Sequence, residues 1–162
     1  MNSKEPLVST VLRSPVHFLA FGFGSGLSPI APGTAGTVVA VLLYLLFQSL
    51  DLLSYSLLTA AVCIAGIWIC GKSSEMLGVH DHGGIVWDEF AGYFITMIAA
   101  PPGWVWIVIG FVLFRLFDIL KPWPIKWADE QLDGGVGIML DDILAGLASF
   151  AVLQILAYFF IY

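Results

Sequence analysis

The chain has 162 residues, 59% of them hydrophobic, and its 17 glycines bring the apolar share to about 69%, where an ordinary globular domain has roughly 45–50%. Only 6 basic and 12 acidic residues are present, and the mean hydropathy is +0.94. A domain of this size buries about 70% of its unfolded surface, so too little polar surface is left to cover the remainder. This excludes a disordered chain, a coiled coil and a free soluble domain, and points to an integral membrane protein.

The net charge of −6, with no basic stripe, excludes a nucleic-acid partner. At the N-terminus, Lys4 and Arg13 precede a short apolar stretch broken by glycines at 22, 24 and 26, which argues against a cleaved signal peptide. Segment 22–37, GFGSGLSPIAPGTAGT, is neither a Walker loop nor a GxGxxG turn. It reads either as a flexible lead-in or as backbone lining a headgroup pocket, with Ser25, Ser28 and Thr34 as substrate-binding donors.

Five apolar runs follow: Ala35–Leu50, Tyr55–Gly71, Ile85–Ala100, Trp104–Leu120 and Ile143–Tyr162. Several fall short of the roughly 20 residues that cross a bilayer as a helix. Asp51, Pro101-Pro102-Gly103 and Lys121-Pro122-Trp123-Pro124 separate neighbouring runs. Cys63 and Cys70 sit seven apart in the second run, with neither a CxxC nor a disulfide framework, and read as small buried residues. No repeat or linker is visible, so residues 1–162 read as a single domain.

With the N-terminus inside, Lys4, Arg13, Lys72, Lys121 and Lys126 all fall in cytoplasmic segments, and Arg115 lies near the inner end of its span. The outer loops hold no Lys or Arg, which sets the orientation. Tyr158, Phe159, Phe160 and Tyr162 then form an aromatic belt at the outer interface. Of the acids only Asp51 lies outside. The expected fold is an all-α, multi-pass transmembrane bundle with a polar site at the cytoplasmic interface.

Three polar knots meet at that depth. Asp88 and Glu89 stand in the first turn of the third span, where carboxylates suit a helix start, but two ionisable groups in an apolar segment favour metal ligation. Asp141 and Asp142 repeat the pattern at the start of the fifth span, where one Asp would suffice as a cap. Hard carboxylate oxygens from two helices suit Mg²⁺, which also takes waters and phosphate oxygens. Arg115, Asp118 and Lys121 step by three along one face and read either as an intrahelical ion pair or as a bidentate phosphate clamp in which Asp118 holds the fork or joins the metal shell. His80-Asp81-His82 is a weak zinc signal beside so many acids, and His80 or Asp81 reads as a proton donor.

The motifs of cysteine, aspartyl-phosphate and histidine-based lipid phosphatases are missing, as is the DGxxAR of CDP-alcohol transferases. A metal-activated water is the simplest remaining nucleophile. At this point GFGSGLSPIAPGTAGT, VHDHGGIVWDEFAGYFIT, FRLFDILKPWPIKW and GGVGIMLDDILAG resemble successive signature blocks of the bacterial phosphatidylglycerophosphatase A family, from about Pro15 to Gly146. The variable ends, 1–14 and 147–162, gain nothing from the match. The resemblance implies a Mg²⁺-dependent inner-membrane enzyme that converts phosphatidylglycerophosphate to phosphatidylglycerol and phosphate. It carries the family's motif positions onto His80, Asp81, Asp88, Glu89, Arg115, Asp118, Lys121, Asp141 and Asp142.

The expected division of labour gives the metal to Asp88, Glu89, Asp141 and Asp142 and the phosphoryl charge to Arg115 and Lys121. A small ion- or proton-coupled transporter is the rival reading. It would place its acids near midplane, often between repeats, whereas here they gather at one face. A non-catalytic scaffold would leave the polar knots idle.

Overall fold

The computed structural model describes residues 7–79 and 82–161, and within them the chain is helical, with no strand. Two short helices, α1 (Leu7–Arg13) and α2 (Pro15–Ala20), lead through a 3₁₀ turn at Ser25–Leu27 to α3 (Pro32–Phe47). Then come α4 (Leu52–Leu77), α5 (Trp87–Thr96), α6 (Trp104–Leu120), α7 (Ile125–Gln131) and α8 (Gly134–Ile161). The boundaries follow local chemistry. Asp51 caps α4, its carboxylate accepting from the Leu53 and Ser54 amides at 3.1 Å and from the Ser54 hydroxyl at 2.6 Å. Those bonds hold its pKa below the usual carboxylate range. Gly78, at φ 67°, ends α4 in the left-handed conformation that costs glycine nothing.

Only α4 and α8 combine the length and apolarity needed to cross a bilayer among the described residues, and α3 is shorter. Their surfaces are inverted relative to a soluble protein. On α6 the residues Val105, Val108, Val112, Leu116 and Ile119 form an exposed apolar stripe at helical spacing. On α4, Leu53, Leu57, Ile64 and Trp68 are likewise exposed. The protein is therefore membrane-associated. Tyr158, Phe159 and Phe160 are exposed near the end of α8, as an aromatic belt requires, while Tyr162 lies outside the described residues.

Two of the expected spans come out differently. The third is only ten residues, about 15 Å long at 1.5 Å per residue, half of a roughly 30 Å hydrocarbon layer. Residues Glu89 to Thr96 are buried on every face, so α5 is a half-helix wrapped by its neighbours. Beyond it, the Ile98 and Ala99 carbonyls accept from Gln154 Nε2 at 3.0 and 3.2 Å, which ties the segment after α5 to α8. The fifth span begins nine residues early, at Gly134 rather than Ile143. Glycines 135 and 137 lie inside this extra length, where a side chain would strike the Ile67 and Leu132 carbonyls, so the close packing of this end of α8 requires glycine. Asp141 and Asp142 thus lie two turns inside α8, and helix capping does not explain them.

Helix α8 is the central element, packing against α4, α5, α6 and α7. Its crossing with α5 is made by Gly92 and Gly146. A Cβ on Gly146 would meet the Gly92 backbone, and one on Gly92 would meet Phe114 and the Asp142 carbonyl. This close approach lies one turn from Glu89 on α5 and one turn from Asp142 on α8. The small-residue crossing therefore brings the two acidic motifs together.

Segment 22–37 is packed rather than flexible. Gly26 sits against the Gly84 carbonyl, and Gly36 against Val86, at distances no side chain would tolerate. Beneath this segment His17 is buried, its Nδ1 2.8 Å from Ser73 Oγ, and burial lowers its pKa.

Candidate active site

The polar knots converge where the N-termini of α3 and α5, the C-terminus of α6 and the first half of α8 meet. Two sub-clusters divide the charges. In the first, Glu89 is buried and its carboxylate is held from two sides. Thr37 Oγ1 donates to Oε2 at 2.7 Å, while Arg115 Nη1 lies 2.6 Å from Oε1 and 2.5 Å from Oε2. Gly33 makes room for the pair, since a Cβ there would overlap Glu89 Oε1 and press on both terminal nitrogens of Arg115. Arg115 also reaches Asp118, one turn on, at 2.8 Å.

In the second sub-cluster, Asp118, Asp141 and Asp142 each place a carboxylate oxygen within 4.8 Å of the others. Asp141 and Asp142 are buried and Asp118 is half-buried. Lys121, in left-handed conformation at the end of α6, reaches across to Asp141 Oδ2 at 2.8 Å. Asp118, 2.8 Å from Arg115 and within 4.8 Å of both α8 acids, joins the two sub-clusters into one acidic site. Its four carboxylates, Glu89, Asp118, Asp141 and Asp142, outnumber the two cations, Arg115 and Lys121, paired with them.

The residues expected from sequence are distributed as follows. Arg115, Asp118, Lys121, Glu89, Asp141 and Asp142 come together. Asp118 stands beside Arg115, as expected, and also with the α8 acids, while Glu89, expected among the metal ligands, lies on Arg115 and Thr37. Asp88 is half-buried, its Oδ1 accepting from the Glu89 amide at 3.0 Å. His80 and Asp81 lie outside the described residues.

The Ser25 and Ser28 hydroxyls donate to the Gly22 and Ile30 carbonyls at 2.8 Å, so they shape the loop. Thr34, half-buried in the first turn of α3, adjoins Gly33. Thr37 and Gly33 were not foreseen as site residues. Their signal was the run Gly33, Gly36, Thr37 and Ala40, a small-residue face at helical spacing that lets α3 approach α5.

The donor chemistry fits a divalent cation. Three hard oxygen donors from two helices, two of them buried, stand close together in an excess of negative charge. Next to them, a guanidinium and an ammonium offer complementary charge to an anionic substrate.

The sequence model of phosphatidylglycerophosphatase A matches residues 18–157. The chain belongs to the phosphatidylglycerophosphatase A family. It is 47% identical over 148 residues to phosphatidylglycerophosphatase A of Escherichia coli K12, covering 91% of this chain and 86% of that protein. It is 46% identical over 159 residues to the Haemophilus influenzae phosphatidylglycerophosphatase A, covering 97% and 96%. A Bacteroides thetaiotaomicron relative, provisionally named a phosphatidylinositol-3-phosphatase, is 42% identical over 142 residues, covering 83% of this chain and 88% of its own. No solved structure matches the chain. The family assignment makes the protein a phosphatase, and the acidic and basic motifs lie within the matched span.

Proposed function

We propose that the protein removes the terminal phosphate of phosphatidylglycerophosphate at the cytoplasmic face of a bacterial inner membrane, leaving phosphatidylglycerol. The observation that carries this reading is the juxtaposition of Asp118, Asp141 and Asp142 with Arg115 and Lys121 at one end of an apolar bundle. A lipid headgroup reaches that end while its chains stay in hydrocarbon. Asp118, Asp141 and Asp142 would hold Mg²⁺. The ion would supply Lewis-acid polarisation of the phosphate and a bound water of lowered pKa.

The chain's own residues do the rest. Arg115, fixed by Glu89 and Thr37, offers its guanidinium to the phosphate, and Lys121, paired with Asp141, adds a second positive charge. His80 or Asp81, following α4, is the proposed proton donor to the glycerol oxygen. Burial of the acids between α5, α6 and α8 excludes bulk water from the reacting phosphate.

Purified protein in nanodiscs should release phosphate from phosphatidylglycerophosphate with Mg²⁺ and lose that activity in EDTA. No release with Mg²⁺ present would overturn the assignment. Faster turnover of phosphatidylinositol-3-phosphate would move it to the substrate named for the Bacteroides relative. The orientation is tested separately. In a background lacking Cys63 and Cys70, the exposed positions of Glu75→Cys and Glu130→Cys should label only from the cytoplasm.

A further inference from the structure

An apolar groove of 210 Å³ runs between α3 and α6, lined by Val38, Val41, Leu42, Ile107, Val108 and Phe111. Val38, Leu42 and Val108 are 47%, 58% and 49% exposed, so the groove faces outward into lipid. Its position is set by the polar site. The helices pair near Thr37 and Arg115, whose side chains are 3.5 Å apart. Phe111 is one turn from Arg115 along α6, and Val38 is one turn from Thr34 along α3, about 6 Å in each case. The groove therefore begins one helical turn deeper than the groups proposed to take the phosphate, on the same two helices.

Two other outward-facing grooves lack this continuity. One, apolar, at Val105, Ile109, Leu156 and Phe160, lies six to ten residues along α6 from Arg115, and the other, on α4 around Ile64 and Trp68, is also lined by Lys72 and Glu75. A phospholipid joins its phosphate to its acyl chains through a glycerol only a few ångströms long, so chain and headgroup must bind in adjoining places.

We propose that the α3–α6 groove is the acyl-chain subsite of the enzyme, through which its lipid substrate enters sideways from the bilayer. The proposal rests on the lipid-phosphatase reading and adds the place where the chain binds. The groove walls hold one substrate chain parallel to α3 and α6, which fixes the glycerol, and with it the phosphate, against Thr34, Arg115 and the acids of α8. The gain is positional: the headgroup arrives with one end already immobilised.

Two measurements test it. The first uses the unaltered chain in phosphatidylcholine nanodiscs, photolysed with phosphatidylglycerol or with phosphatidylcholine carrying a mid-chain diazirine. Adducts of the phosphatidylglycerol probe should be enriched severalfold on α3 and α6 at Val41 and Phe111 relative to the Val105–Leu156 groove. Equal adduct distributions for the two probes would make the groove ordinary bilayer contact and overturn the proposal.

The second measurement compares kcat/KM for dioleoyl and dihexanoyl phosphatidylglycerophosphate. Val41→Trp should lower the dioleoyl-to-dihexanoyl ratio about tenfold, the order that small changes in an apolar pocket produce, while Ile109→Trp leaves the ratio at its starting value. A correctly folded Val41→Trp protein with an unchanged ratio would also overturn it. Cross-linking needs neither a variant nor turnover, so a folding failure leaves it decisive. Failure of the phosphatase reading would show instead as no phosphate released from either lipid by the unaltered protein.

Discussion

Two pairs of adjacent carboxylates, Asp88-Glu89 and Asp141-Asp142, look interchangeable in sequence, yet the fold uses them differently. The first pair opens α5, where Asp88 serves the backbone and Glu89 turns inward to Arg115 and Thr37. The second lies inside α8, two turns from its start, and joins Asp118 in a tight group of oxygens. The α5 acid orders a cation, whereas the α8 acids concentrate negative charge. The difference teaches that adjacency of charge in a sequence says little about role. A helix start and a helix interior impose different obligations on the same residue type.

The sharpest way to break this comparison is at α8. Asp142→Asn keeps shape and removes one charge from the group of three. Turnover should fall by more than the roughly 100-fold that losing an outer-shell partner of a metal site can cost. Phosphate release across a Mg²⁺ titration measures it, with thermal melting in detergent as the folding control. A variant with normal melting and normal rate would remove the α8 acids from the chemistry.

Arg115→Lys comes next. A lysine keeps the charge but has one terminal nitrogen where Arg115 has two, and Nη1 already serves both Glu89 and Asp118, so kcat should drop on the order of 100-fold. Near-normal turnover would reduce the arginine to a charge balance. Arg115→Ala additionally leaves Glu89 buried without its cation, and should cost about 3–5 kcal/mol of stability in detergent unfolding.

Gly33→Ala probes the α5 sub-cluster without touching a charge. The added methyl overlaps the Glu89–Arg115 pair, and a loss of about tenfold in kcat/KM is expected, with the same Mg²⁺ dependence as the unaltered protein. A changed Mg²⁺ dependence would instead put Glu89 in the metal shell. The smallest effect is expected from Asp88→Asn, whose amide oxygen still accepts from the Glu89 N–H. Activity within about threefold fits a role confined to the first turn of α5, where Val86 is the N-cap and Asp88 Oδ1 serves the Glu89 amide. A large loss at limiting Mg²⁺ would make the two acid pairs alike after all.

Much of the architecture was readable beforehand because hydropathy is a local property. The run Trp104–Leu120 coincides with α6 residue for residue, since Pro101-Pro102-Gly103 and Pro122 mark both its ends. The run at Ile85–Ala100 was read too long because apolar composition does not distinguish a helix that crosses lipid from one enclosed by protein. The fifth run reads from Ile143 although its helix starts at Gly134, because glycines dilute the hydropathy of a turn that tertiary packing against Ile67 and Leu132 accommodates.

The sequence by itself determined that the chain is helical and membrane-associated, and that its basic and acidic residues gather toward one end of the bundle. Run length, apolar composition and the placement of charge between runs are sufficient for that. The pairing of those charges was decided only in three dimensions. Whether Glu89 meets Arg115 or a metal, and whether Asp118 reaches the α8 acids as well as Arg115, depends on helix rotation and crossing. Those are set by the close approach of Gly92 to Gly146 and by the small-residue face of α3. A rotation of one residue, about 100° around a helix, would aim each carboxylate elsewhere without changing the hydropathy of the chain.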